Sequence, residues 1–230
     1  MSKVLVTGAT GNVGTHVVGI LQRQGVPLRA FSRDIAAARQ KLGKSVEVVG
    51  GDFTDAESIA SALNGIDLVL LSSSNHPEQA AHEAAVIDAA AAAGVKRIVK
   101  LSTVSAQIGS ASAFFDAHGR AEQHLRASGV PAVILQSSFY MSNLFAAAEP
   151  VRMMRKIFAP AGTARIAMID PRDVADVAAT ALLTDRFDGQ TLHLTGSEAI
   201  TYAHVAHVLS EVTGSKVDYI AVPDDAAPPP

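Results

Sequence analysis

The sequence predicts an α/β protein on a doubly wound parallel sheet, from three observations. Short β-branched runs alternate with longer helical patterns as far as Gln136. The predicted strands are nearly continuous apolar runs, as strands covered on both faces must be. Each strand–helix–strand spacing leaves room for a crossover helix.

Lys3–Thr7 reads as a buried strand, and Asn12–Gln24 as a helix with Val13, Val17, Ile20 and Leu21 on one face and Gly25 as its stop. Leu28–Ser32 is a second strand, after which Asp34 is placed to cap a helix over Ile35–Leu42. Val46–Gly50 is a strand and Asp55–Leu63 a helix ending at Gly65. Leu68–Ser72 is followed by an Ala-rich helix from Glu78 to Ala93, closed by Gly94. Arg97–Leu101, a helix over Phe115–Ser128 closed by Gly129, and the strand Ala132–Gln136 complete a domain spanning 1–137.

Beyond Ser138 the rhythm is irregular. The pattern predicts a helix over Asn143–Lys156, a strand at Arg165–Ile169, a helix over Pro171–Thr184, a strand at Thr191–Leu194 and a helix over Tyr202–Thr213. With no Gly/Pro/Ser-rich linker before it, 138–225 is expected to be a smaller substrate-side region packed on the first, and 226–230 a frayed tail.

Composition narrows the function. The chain has 230 residues, 48% of them hydrophobic and 18% charged, which suits a globular protein. A net charge of −3 without Lys/Arg runs offers no footprint for nucleic acid or an anionic membrane. No cysteine is present, so disulfides and thiolate chemistry are excluded. No apolar stretch approaches the ~20 residues that span a bilayer. A strand pattern two residues after Met1 leaves no room for a signal peptide, so a cytoplasmic protein is expected.

The first strand runs into Gly8-Ala9-Thr10-Gly11-Asn12-Val13-Gly14, which opens the first helix. In that context the three glycines form a dinucleotide fingerprint of Rossmann type. Gly8 lets the chain leave the strand tightly, Gly11 clears a path for a pyrophosphate, and Gly14 lets the helix lie against the sheet. Bared N–H groups and the positive helix end then attract the diphosphate, with Thr10, Asn12 and Val13 in the loop. A glycine-rich turn that binds nothing is the alternative. Ser32-Arg33-Asp34 ends the second strand. A carboxylate there selects NAD, and an arginine accommodates the 2′-phosphate of NADP. Arg33 lies at the strand tip and Asp34 where a cap is needed, so NADP(H) is expected over NAD(H); a solvated strand-end charge is the alternative for Arg33.

Four segments resemble the NmrA-like group of atypical short-chain dehydrogenases, whose members include NAD(P)H-dependent quinone, azo and triarylmethane-dye reductases. They are Thr7–Gly14, Gly51-Asp52-Phe53-Thr54-Asp55, Ala93–Val99, and Glu122 with Leu125–Pro131; Ile169–Ala175 is similar as well. The resemblance runs to about Pro223. It implies that Asp52 and Phe53 flank the adenine, that Ser72, Ser73 and Ser74 line the path to the nicotinamide, and that Ser102 and Thr103 lie beside the nicotinamide. It further implies that Ser138, Phe139 and Tyr140 border the substrate. Asp52 reads equally as a turn or capping residue, and Ser72–Ser74 as a polar loop. Relatives commonly carry further helices beyond Val222–Asp225, so the cleft is expected to be open or roofed by a second subunit in a homodimer.

The sequence departs from ordinary short-chain dehydrogenases in lacking a Tyr-x-x-x-Lys pair. Its tyrosines, Tyr140, Tyr202 and Tyr219, have Leu144, Ala206 and Pro223 four residues on. The slot about a dozen residues past Ser102 holds Phe114, with His118 in the lysine position. His118 reads as a proton donor, as a hydrogen-bonding partner of the nicotinamide ribose or amide, or as a helix histidine without a role. Hydride transfer to a quinone, azo or cationic dye acceptor needs no dedicated acid, because solvent can supply the proton. His204 and His207 share a helix face without a carboxylate partner, so no metal is expected. No Gly-x-Ser-x-Gly elbow is present, and Met153-Met154 with Phe158 fill a core or line the cleft. The expectation is an NADPH-dependent reductase of a small quinone-like or aromatic acceptor, in a pocket formed by Ser102–Phe115 and Phe139–Phe145. Its rivals are an NADP(H)-sensing regulator without turnover and a secondary-metabolite reductase or isomerase.

Overall fold

A computed structural model describes residues 2–223, so the predicted tail at 226–230 lies outside the described residues. The strands are β1 (Val4–Val6), β2 (Leu28–Ser32), β3 (Glu47–Gly50), β4 (Leu68–Leu71), β5 (Arg97–Thr103), β6 (Ala132–Ser137), β7 (Lys156–Ala159), β8 (Thr191–Leu194) and β9 (Asp218–Ala221). The helices are α1 (Gly14–Arg23), α2 (Ile35–Leu42), α3 (Ala56–Leu63), α4 (Gln79–Ala92), α5 (Ala113–Ala127), α6 (Ala148–Met154), α7 (Pro171–Leu183) and α8 (Tyr202–Thr213), with a 3₁₀ helix at Met141–Ala147.

Two compact units are present. Residues up to Ser137 join Pro171–Leu194 in the first; Ser138–Asp170 and the chain from Thr195 form the second. The expected single boundary before Ser138 is therefore corrected, because the chain re-enters the first unit. There α7 packs on α1, and β8 pairs with β6 in the register Ile134↔Thr191 to Ser137↔Leu194. The Arg97 guanidinium grips Asp188, fastening the segment before β8 to β5.

The sheet of the first unit has the order β3-β2-β1-β4-β5-β6-β8, with every pair parallel. This is the doubly wound Rossmann-type arrangement the strand pattern predicts. Direction of winding reverses at β1/β4, the kind of position at which doubly wound sheets bind ligands, at the carboxyl ends of the strands. The helix over Ile35–Leu42 starts at the cap the sequence signals, and Asp55, expected as the first residue of the next helix, caps it instead. Asp34 accepts from the Ala37 N–H at 2.9 Å, and Asp55 from Glu57 and Ser58. Buried Leu5, Leu63, Val69, Leu71, Ile87, Ile98 and Leu125 form one core between sheet and helices.

The second unit is built around Ile157, Met168, Val205, Ala206 and Val217. Its two-stranded parallel sheet, β7 with β9, was not predicted. The predicted helix over Asn143–Lys156 is instead the 3₁₀ segment followed by α6, stopped by Arg155 at φ 55°. The predicted strand at Arg165–Ile169 is reduced to isolated bridges, Tyr140↔Ile169 and Ile166↔Ile200. No helix among the described residues is long and apolar enough to cross a membrane.

Candidate nucleotide site and the buried polar cluster behind it

β1 delivers Thr7 and Gly8 to the carboxyl edge of the sheet beside Ser72, the residue after β4. The Thr7 hydroxyl accepts from the Ser72 N–H at 2.8 Å and lies 2.9 and 3.1 Å from the carbonyl oxygens of Ser72 and Leu70. Gly8 turns at φ 59°, and a Cβ there would stand 2.9 Å from the Ser72 backbone oxygen and from its Oγ. Gly11 closes the turn by donating to the Gly8 carbonyl at 2.9 Å.

Gly14 has a different reason from the expected one. A Cβ at that position would sit 2.1 Å from the Gly8 carbonyl oxygen and 2.9 Å from the Ala9 Cα. The loop folds back on its own backbone, and it is this crossing, more than contact with the sheet, that demands glycine. The helix behind it starts at Val13 without a side-chain cap and with no acid in its first turn. A diphosphate is the anion that the dipole and amino-terminal N–H groups of such an end attract. Thr10 is half-buried and lends its carbonyl to Lys41 at 2.7 Å; Asn12 is exposed. A cradle that a single Cβ would fill and an uncapped helix end fit a dinucleotide.

The remaining expected residues fall around that edge. Arg33 is exposed immediately after β2. Asp52, after β3, accepts from the Thr54 N–H at 2.9 Å and the Thr54 hydroxyl at 2.8 Å, and these two bonds hold its carboxyl below the ordinary range. That makes it a turn aspartate, whatever else it touches. Phe53 stacks on Phe31 with centroids 5.7 Å apart and packs against the core. Ser73 donates to Glu83 at 2.6 Å, and Ser74 is exposed. Ser102 is buried at the end of β5 and gives its hydroxyl to Glu122, which also accepts from Gln136 and Arg126. Thr103 and Phe114 are half-buried. Phe139 and Tyr140 belong to the second unit, where the Phe139 carbonyl accepts from Ile169.

His118 is buried, which removes the reading of a partly exposed helix histidine. Its Nδ1 lies 3.3 Å from Lys100 Nζ, its Nε2 lies 3.2 Å from Gln79 Nε2, and Phe114 meets its ring edge-on at 4.7 Å. Burial, then the Lys100 charge, push the imidazole down to about 4. It is neutral near pH 7. A base with that proton affinity carries almost no proton to give there, which disfavours it as a general acid.

Sequence reasoning missed the group that holds it. Lys100 and Glu83 are fully buried and paired at 2.6 Å, with Lys100 also donating to the Leu101 carbonyl at 3.1 Å. Burial works to raise the Glu83 carboxyl, but the Lys100 charge and hydrogen bond outweigh it and hold the acid below its ordinary range. The signal was present: a lysine inside the apolar run Arg97–Leu101 and a glutamate on an alanine-rich helix, each needing a buried partner.

Sheet order, switch point and glycine turn together define a protein of the Rossmann class with a dinucleotide-fingerprint loop. The chain belongs to the NmrA-like family, whose model matches residues 1–228. It is 34% identical over 219 residues to an NAD(P)H azoreductase of Xenophilus azovorans, covering 95% of this chain and 77% of that protein. It is 38% identical over 225 residues to a (4-alkanoyl-5-oxo-2,5-dihydrofuran-3-yl)methyl phosphate reductase of Streptomyces griseus, covering 97% and 78%. An NADPH-dependent quinone oxidoreductase of Escherichia coli, solved with NADPH, superposes with a TM-score of 0.88 at 30% identity, over 96% of this chain and 79% of that one.

Proposed function

We propose that the chain is an NADPH-dependent reductase that passes a hydride to a small conjugated acceptor of the quinone-like or aromatic type. The carrying observation is the uncapped start of α1 behind the Gly8–Gly14 turn, at the switch point of the parallel sheet. The azoreductase, the furanone phosphate reductase and the quinone oxidoreductase are consistent with it, since the substrates they are named for are conjugated acceptors.

NADPH supplies the hydride when bound. The loop N–H groups and the α1 dipole would hold its diphosphate. Preference for the 2′-phosphate follows from two neighbours. Asp34 is committed to capping α2 and so is poorly placed to take a ribose hydroxyl, while Arg33 is exposed beside it. Ser102 and Thr103 would border the nicotinamide, and Phe114 the acceptor. His118, neutral and buried, acts as a positioning residue that keeps the start of α5 in place. A conjugated acceptor delocalises the charge it gains, so water can protonate it and the missing Tyr-Lys pair is no obstacle. Catalysis then rests on holding donor and acceptor in contact.

The test is NADPH oxidation with a panel of quinones and azo dyes, beside calorimetric binding of NADPH and NADH to wild type, Gly11→Asp and Arg33→Ala. Gly11 is exposed and at an ordinary φ, so its variant should fold while its carboxylate repels the diphosphate. Turnover lost in Gly11→Asp, with an NADPH preference that collapses in Arg33→Ala, is expected. Tight NADPH binding with no turnover on any acceptor would make the chain a sensor instead, and equal affinity for both nucleotides would refute the role of Arg33.

A further inference from the structure

We propose that His76, Glu78 and His82 form a binding site for one divalent transition ion of the zinc type, at the start of α4. One ligand atom from each residue lies within 4.8 Å of the other two, the one such group of three among the described residues. Two turn bonds fix His76 over the helix start: its carbonyl accepts from Gln79 at 2.9 Å, and its Nδ1 from the Glu78 N–H at 3.1 Å. Glu78 occupies the N-cap position without making a capping bond. His82 follows one turn later on the same face, its ring 4.9 Å from that of His76.

The second observation is the state of His82. Its Nε2 is shut off from solvent and has no hydrogen-bond partner among the described residues; Glu78 Oε2 stands 3.7 Å away, too far to serve. A buried ring nitrogen left unsatisfied is costly and calls for a ligand. Two imidazoles and a carboxylate suit zinc, copper or nickel better than magnesium or calcium, which prefer all-oxygen sets. Tetrahedral zinc needs neighbouring ligand atoms about 3.4 Å apart. Glu78 is exposed, and rotation of its side chain and of the His76 ring can close the gap. The exchange gives up the Glu78-to-His76 bond, and water takes the fourth position. The other histidine pair on one helix face, His204 and His207, does not join this group, and His207 is paired with Glu211 at 3.4 Å.

Calorimetry with zinc chloride on the full chain at pH 7.5, together with the visible spectrum of the cobalt(II) form, tests the site. One ion per chain and a four-coordinate cobalt spectrum are expected. His76→Ala and His82→Ala should each weaken binding at least about tenfold, Glu78→Gln should weaken it too, and His204→Ala should not. Circular dichroism confirms that each variant is folded. Unchanged affinity in His82→Ala, binding abolished by His204→Ala, or no heat at millimolar zinc would overturn the proposal. NADPH affinity is measured on the same variants and stands or falls separately.

Discussion

The glycine turn and the Glu83–Lys100–His118 cluster lie in the same unit and are built on opposite principles. The turn is contiguous, seven residues whose geometry is set by backbone meeting backbone, as at Gly14 against the Gly8 carbonyl. The cluster draws one charge from α4, one from β5 and a ring from α5, and every member is buried. The turn leaves backbone bare at a helix start, whereas the cluster buries its charges against one another. Damage to the turn should therefore appear first in ligand affinity, and damage to the cluster first in stability.

Removing one partner of the buried pair is the harshest way to break that contrast. Lys100→Met leaves Glu83 buried without a counter-charge, at a cost of about 3–5 kcal/mol. Thermal unfolding should fall by something on the order of 10 °C. The double variant Lys100→Met/Glu83→Met should recover most of it. If the single variant melts within a degree or two of wild type, the pair is not the support described.

Acid is the next probe. His118 titrates near 4 in the folded chain and near 6.5 when unfolded. Above that range neither state holds the proton, so it contributes nothing. As pH falls the unfolded chain takes up a proton the fold refuses, and by pH 4 this destabilises the protein by roughly 3 kcal/mol. Glu83, whose carboxyl is held low, works in the same direction. Denaturant unfolding at pH 7 and pH 4.5 should show a steeper loss for wild type than for His118→Gln; identical slopes would contradict a buried neutral ring.

The smallest stability effect belongs to the turn. Gly14→Ala forces a methyl against the Gly8 carbonyl and should cost about 1–3 kcal/mol, while NADPH affinity drops at least tenfold by titration. Gly11→Ala, whose Cβ would find that oxygen 3.1 Å away, should change stability by much less. If the two alanine variants lose affinity equally with stability intact, the crossing at Gly14 is not what shapes the cradle.

What could be read from the amino acids alone was whatever depends on neighbours in the chain. The alternation of strands and helices, the cap at Asp34 and the glycine turn are all local, and each was legible, whereas Asp55, read as the first residue of its helix, proves to be the cap. β7 and β9 were not, because four-residue strands take their identity from the partner they pair with, here 62 residues away between Lys156 and Asp218. Nor was the return of Pro171–Leu194 to the first unit, which depends on the exposed edge of β6 and the surface of α1. His118 marks the limit most clearly: its position in α5 could be counted from Ser102, yet its protonation depends on a lysine and a glutamate that only folding brings beside it. Local chain chemistry determined most of the elements and the glycine turn, whereas burial, which belongs to no single segment, decided which charges pair and which ring stays neutral.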